Sequence, residues 1–213
     1  MLTDRDYAEY EENCVSEVTI DVKVVLQIIK HGSDGDEPCE HYDGFITGLR
    51  ENNSTHITNV FRNPSDIETD DDYTSTVQNY QNLYLQAFKD YDLEQEIVGF
   101  YKKASDMNLF SKVDDLKDWI EFQISADKNC MNGCVFIIYD EHRMSSGDFG
   151  MRAYRVSKEA IEHYEDCVKK GLRPFSLSMI KEGELNFDDI LEELPINIKS
   201  SNLMNCLLLQ IEN

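Results

Sequence analysis

The run C-V-F-I-I-Y-D at residues 134–140 constrains this chain more than any other stretch. It is short and continuously apolar, so a strand built from it is central in a sheet and buried on both faces. A fold that holds such a strand must cover both sides of its sheet.

The segments around it supply that cover. E-V-T-I-D (17–21) has the pattern of a strand, and V-V-L-Q-I-I-K-H (24–31) that of a helix. Val22, Val25, Leu26 and Ile29 fall at helical spacing, and Gly32 marks the stop. After the turn-rich G-S-D-G-D-E-P, two strand candidates, D-G-F-I-T-G-L-R (43–50) and T-H-I-T-N-V-F (55–61), are joined by E-N-N-S as a hairpin. Val77, Tyr80, Tyr84, Phe88 and Tyr91 form the apolar stripe of a long helix beyond an acidic loop.

E-I-V-G-F-Y (96–101) is a further strand, and Leu116, Trp119, Ile120 and Phe122 to Ile124 indicate another helix. G-M-R-A-Y-R-V (150–156) alternates and pairs with the central run. Ser157 caps a helix that ends at Gly171. D-D-I-L-E-E-L suggests a turn of helix, P-I-N-I-K a strand, and S-S-N-L-M-N-C-L-L-L-Q-I a closing helix. Interleaved helices and strands with hairpins predict a mixed α/β sheet with helices packed on it, and no internal repeat is present.

The length, 213 residues, suits one large domain. Residues 1–15 are acidic and aperiodic and read as a flexible N-terminal arm, leaving 16–213 as the domain with its C-terminal helix. Forty-two Asp and Glu against twenty Lys and Arg give a formal charge of −22. Such a surface repels phosphate backbones and anionic lipid, which argues against direct nucleic-acid or membrane binding and leaves solubility or a basic partner as its use. Six scattered cysteines and an acidic N-terminus unlike a secretory leader point to free thiols in the cytoplasm or nucleus. No apolar run approaches the ~20 residues of a membrane span.

Motifs for chemistry are sparse. C-M-N-G-C (130–134) lacks the second Cys or His pair of a zinc ribbon, and its Cys134 opens a buried strand. The histidines form no His-x-His or His-x-x-x-His pair, and Asp70 to Asp72 lack the Gly and closing Glu of a calcium loop. In D-E-H-R-M (140–144), His142 reads as a surface residue paired with carboxylates. Neither a G-x-S-x-G elbow nor a phosphate loop ending in G-K is present. The stretch V-G-F-Y-K-K-A-S (98–105) remains: a buried strand running into a polar segment, a common place to mount a site. The last helix carries Leu203, Leu207, Leu208 and Ile211 with almost no polar face, so it is either a core helix or one covered by another chain.

The order of these elements resembles the MPN domain family, with the closest likeness in V-V-L-Q-I-I-K-H (24–31), V-F-I-I-Y-D (135–140) with M-R-A-Y-R-V-S (151–157), and E-L-P-I-N-I-K-S-S-N-L-M-N-C-L (193–207). The likeness runs from about residue 17 to the end and is nearest to members in eukaryotic translation initiation factor 3, which continue with further helices. It implies the MPN (JAMM-like) fold, a mixed β-sheet or partial barrel flanked by α-helices.

Catalytic members are zinc isopeptidases, with a Glu before the Gly of the second strand, a His-x-His pair after a V-G-W-Y-type strand, and then Ser-x-x-Asp. On this chain the resemblance puts His41 at the Glu position and Lys102 and Ala104 at the two His positions. Ser111 and Asp114 keep the Ser-x-x-Asp spacing but lie one residue nearer the strand. Zinc hydrolysis needs three protein ligands and an open position for water. Only Asp114 of that set survives, and Lys102 would place an ammonium beside a dication.

The resemblance thus implies no enzyme and no cofactor, but a scaffold in the cytoplasmic initiation factor 3. Its partners would be the other initiation factor 3 subunits, especially the second MPN protein of that complex (its F subunit) through helices, with the small ribosomal subunit met indirectly. Leu203, Leu207, Leu208 and Ile211 are the candidate partner-binding residues. Two other readings stay open: a noncatalytic MPN subunit of the proteasome lid or signalosome, and a zinc isopeptidase with an atypical site.

Overall fold

The computed structural model describes residues 15–33, 43–51, 53–64, 70–104, 117, 119–124, 134–171 and 190–202. Strand β1 (Glu17–Asp21) runs directly into α1 (Val22–Ser33), and the hairpin of β2 (Asp43–Glu51) and β3 (Ser54–Arg62) follows. Helix α2 (Asp70–Asp90) leads to β4 (Glu96–Lys103), and residues 119–124 form a helical segment, α3. Then come β5 (Val135–Tyr139), the short α4 (Glu141–Ser145), β6 (Met151–Val156), α5 (Lys158–Lys169), β7 (Leu191–Leu194) and β8 (Ile196–Lys199).

All eight strands join one sheet in the order β7-β6-β5-β4-β2-β3-β1-β8. β1 is parallel to β3 and β8, and β4 to β5; the other pairs are antiparallel. The two edge strands, β7 and β8, are separated in sequence by Pro195 alone. A residue spans at most ~3.6 Å, so the two edges meet and the sheet curls into a nearly closed barrel. The Pro195 carbonyl accepts from Val18 N at 3.0 Å, and Arg155 of β6 reaches across to the Val15 carbonyl at 2.7 Å.

The central run behaves as its composition requires, with all five residues of β5 buried. Successive side chains serve two apolar clusters. Ile137 and Tyr139 join an inner cluster that draws on β1 to β7 and on Val24 and Ile28 of α1. Phe136 and Ile138 join an outer one built by α3, α5 and the faces of β6 and β7, where Trp119 stacks on Phe136 at 4.3 Å between centroids. A third, aromatic contact holds α2: Tyr84 lies 4.1 Å from Phe61, which stacks on the buried Phe45.

Close backbone approach decides two glycines. A Cβ at Gly99 would sit 1.8 Å from the Val135 carbonyl oxygen, and one at Gly44 2.0 Å from that of Phe61. Gly99 also adjoins a register shift between β2 and β4.

Four expectations change. Val24 and Ile28, not Val22 and Leu26, form the buried face of α1, and Leu26 is exposed. Val, Leu and Ile fill six of its first eight positions, so spacing alone leaves the phase open. Residues 191–194 are a strand on the β6 edge rather than a helical turn. Pairing overrides helix propensity there, and Pro195 favours extended geometry at Leu194. Tyr91 lies past the end of α2 and is exposed, outside the stripe. Val15, placed in the arm by composition, is buried in the inner cluster.

The Ser157 cap is present, its hydroxyl accepting from Ala160 N at 3.1 Å, and Gly171 follows the helix end with φ 65°. Asn202 is helical, and the segment beyond it, where a closing helix was expected, lies outside the described residues.

Candidate functional site at the end of strand β4

β4 and β5 run parallel, so both end beside the start of β2. Lys102 stands opposite Asp43 on β2 and Ile138 on β5, and Lys103 opposite Tyr139. The Ala104 amide donates to the Tyr139 carbonyl at 2.8 Å, extending the pairing one residue past the strand. Its methyl group packs on the outer cluster with Phe100 and Phe122, whose rings meet edge to face at 4.5 Å. The second position of the implied His-x-His pair is therefore a small apolar contact with a fixed backbone.

Alternation sends Tyr101 and Lys103 to the other face. The Lys103 ammonium, with its side chain only 13% exposed, pairs with Glu141 at 2.7 Å. Tyr101 is fully buried, and its hydroxyl meets His31 Nδ1 at 2.6 Å. Burial pushes the Tyr101 hydroxyl well above the usual tyrosine range; the Asp43 charge adds to that, and Arg62 opposes it. Tyr139 is raised by burial and then by Glu141 and Asp140. Asn63 ties down the start of β2, donating from its amide N to the Asp43 carbonyl at 3.0 Å and from Nδ2 to the carboxylate at 3.3 Å.

A cleft of about 370 Å³ opens beside Ala104, lined among others by Ile138, His142, Arg143, Arg152 and Tyr154. Its cations already have carboxylate partners: Arg143 lies 3.6 Å from Asp140 and 3.8 Å from Asp148, and Arg152 3.2 Å from Glu193. The expected pairing of His142 with carboxylates is instead made by Arg143, while His142 is exposed on α4.

Lys102 and Ala104 thus sit together at the strand end, whereas His41, Ser111 and Asp114 lie outside the described residues, as do Leu203, Leu207, Leu208 and Ile211. Among the described residues no group of three His, Cys, Asp or Glu side chains could hold a metal ion. Cys134 and Cys167 are buried free thiols.

Sequence reasoning missed the buried Gln123, whose amide accepts from Val156 N at 3.2 Å and donates to its carbonyl at 3.4 Å. It also missed the His31–Tyr101 bond, which joins residues 70 positions apart. A glutamine inside the apolar W-I-E-F-Q-I was the one signal for the first; nothing local marked the second.

Comparison with known proteins agrees with this architecture. The family described as JAB1/Mov34/MPN/PAD-1 ubiquitin protease matches residues 13–118, and that described as the C-terminal region of eIF3h matches 144–213. The H subunit of eukaryotic translation initiation factor 3 from Xenopus laevis is 29% identical over 205 residues, covering 96% of this chain and 57% of that protein. The H subunit from Nematostella vectensis is 30% identical over 92% of this chain and 55% of its own length. That from Dictyostelium discoideum is 26% identical, over 96% and 60%. This chain therefore spans a little over half the length of these relatives. A nearly closed eight-stranded MPN barrel followed by the eIF3h-type C-terminal segment places the chain in the MPN (JAB) family, in its branch of translation initiation factor 3 H-subunit proteins.

Proposed function

We propose that this chain is a noncatalytic MPN scaffold within cytoplasmic translation initiation factor 3, joining the other subunits and, above all, the MPN-bearing F subunit. The observation that carries the proposal is the end of β4. Lys102 and Ala104 stand where the family resemblance implies two imidazoles, with Ala104 held by the Tyr139 carbonyl and packed on an apolar cluster. An ammonium and a methyl group supply no ligand and cannot activate water. The H-subunit relatives support the choice of assembly over the proteasome lid or the signalosome.

Association is assigned to the closing segment, expected from its sequence to be an almost wholly apolar helix, through Leu203, Leu207, Leu208 and Ile211. The acidic surface agrees with protein rather than direct RNA contacts, the small ribosomal subunit being met through the assembly. No helix among the described residues is long and apolar enough to cross a membrane.

Two measurements test the proposal. Affinity capture with mass spectrometry is expected to recover initiation factor 3 subunits; lid or signalosome subunits in their place would refute it. Elemental analysis is expected to find no stoichiometric zinc. Zinc at one equivalent, lost in Asp114→Ala, would restore the isopeptidase reading.

A further inference from the structure

A second pocket, of about 400 Å³, opens where β1 runs into α1, and it shares no residue with the cleft beside Ala104. Asp21, Lys23, His56, Lys199, Ser200 and Ser201 lie along it. Sheet register assembles this group. Ile20 and Ile57 pair within the inner cluster, so their neighbours Asp21 and His56 stand on the opposite face of the sheet. Asp21 pairs in turn with Lys199 at the end of β8, and Ser200 and Ser201 follow. Lys23 comes to the same place from the first turn of α1, which has no acidic residue.

Charge sets the pocket apart. The chain has 42 Asp and Glu against 20 Lys and Arg, and cations such as Lys103, Arg152, Arg155 and Lys169 are matched by carboxylates. Lys23 and Lys199 form no ion pair among the described residues; Lys23 Nζ donates to the neutral Asn59 Oδ1 at 3.1 Å. The pocket's one carboxylate, Asp21, is engaged by His56 Nε2 at 2.9 Å. Two ammonium groups therefore outnumber one carboxylate even with a neutral imidazole, on a chain of formal charge −22. The Ser200 hydroxyl donates to the Ser201 carbonyl at 3.5 Å, a weak bond that a stronger acceptor would displace.

Two point-charge ammonium groups with a hydroxyl between strand and helix suit a compact oxyanion of charge near −2. A phosphate monoester carries that charge at neutral pH. A single phosphate also escapes most of the long-range repulsion that turns away a polyanionic backbone. The pocket volume is many times the ~30 Å³ share of one water, so the group bearing the phosphate fits with it. We propose that this pocket binds a phosphate monoester, the phosphorylated side chain of a protein partner, through Lys23, Lys199 and the Ser200 hydroxyl. The site is independent of the assembly role of the closing segment.

NMR titration of the isotope-labelled full chain tests this with three probes: capped O-phosphoserine, inorganic phosphate and dimethyl phosphate. Phosphoserine should give saturable shifts at the amides of Val22, Lys23, Ser200 and Ser201. Lys23→Gln and Lys199→Gln should each weaken its binding about 5–10-fold, and Lys199→Arg should retain it. Tighter binding of phosphoserine than of inorganic phosphate supports the partner side chain. Equal or tighter binding of inorganic phosphate would overturn that source and leave a free-phosphate site. Equal binding of dimethyl phosphate, whose single charge is that of a nucleic-acid linkage, would overturn the monoester. Shifts that do not saturate, or that persist unchanged in the double variant Lys23→Gln, Lys199→Gln, would overturn the site itself.

Discussion

The two ends of the barrel handle charge in opposite ways. At the end of β4 the charged and ring groups have partners, Lys103 with Glu141 and Tyr101 with His31. Asn63 donates to Asp43, although its Oδ1 is buried without a partner among the described residues. At the β2–β3 hairpin, Arg50 and Thr55 are buried with none among the described residues. The contrast inverts what the family resemblance leads one to expect. Among the described residues, the end where the resemblance puts chemistry is held by ordinary ion pairs and hydrogen bonds, and Arg50 lies at the other end of β2. Where Lys102 and Ala104 stand in place of two imidazoles, neighbouring side chains knit the strand end into the fold.

That view of the β4 end can be broken by mutation, with the core as the yardstick. Phe136→Ala, which removes a fully buried ring stacked on Trp119, should cost about 3–5 kcal/mol by denaturant unfolding. Ala104→His should cost about 1–3 kcal/mol, because an imidazole must replace a methyl group packed against the outer cluster. Lys102→His, at a neighbouring position outside that apolar cluster, should cost less than about 1 kcal/mol. Equal, negligible costs for the two histidines would mean that position 104 is still an open site rather than a packing contact.

Tyr101→Phe sharpens the same point. Losing the hydroxyl that meets His31 should cost about 1–2 kcal/mol. The tyrosines also fix the alkaline limb of stability. Burial raises the Tyr101 hydroxyl, and burial with the Tyr84 hydrogen bond holds that of Tyr80 up to about 12. Below pH 10 both states keep these protons and the stabilisation is complete. Above it the unfolded chain ionises first, so stability falls as pH rises toward these folded values. Tyr101→Phe and Tyr80→Phe should each flatten that decline in a series of melts from pH 9 to 12.

Legibility followed how local each cause was. The central strand was plain because five successive buried side chains leave no polar alternation, and the Ser157 and Gly171 signals marked α5 directly. The face of α1 was not, since its apolar residues spread around the helix and only packing on β1 and β3 selects Val24 and Ile28. β7 was missed for a similar reason: L-E-E-L becomes a strand through its pairing with β6. At the β4 end the replacements at 102 and 104 were visible in one line of sequence. The bonds that stabilise that end, His31 to Tyr101 and Lys103 to Glu141, join distant elements and carry no local signature.

The central claim, that this MPN domain works by assembly rather than catalysis, is tested most directly by one paired capture. The native chain and a Leu207→Asp, Leu208→Asp variant, with equal folding verified by circular dichroism, are used to recover partners for quantitative mass spectrometry. The native chain should bring down initiation factor 3 subunits, with the F subunit foremost, and the folded variant should lose them. Recovery of the same subunits by both chains, or of none by the native one, would contradict the account.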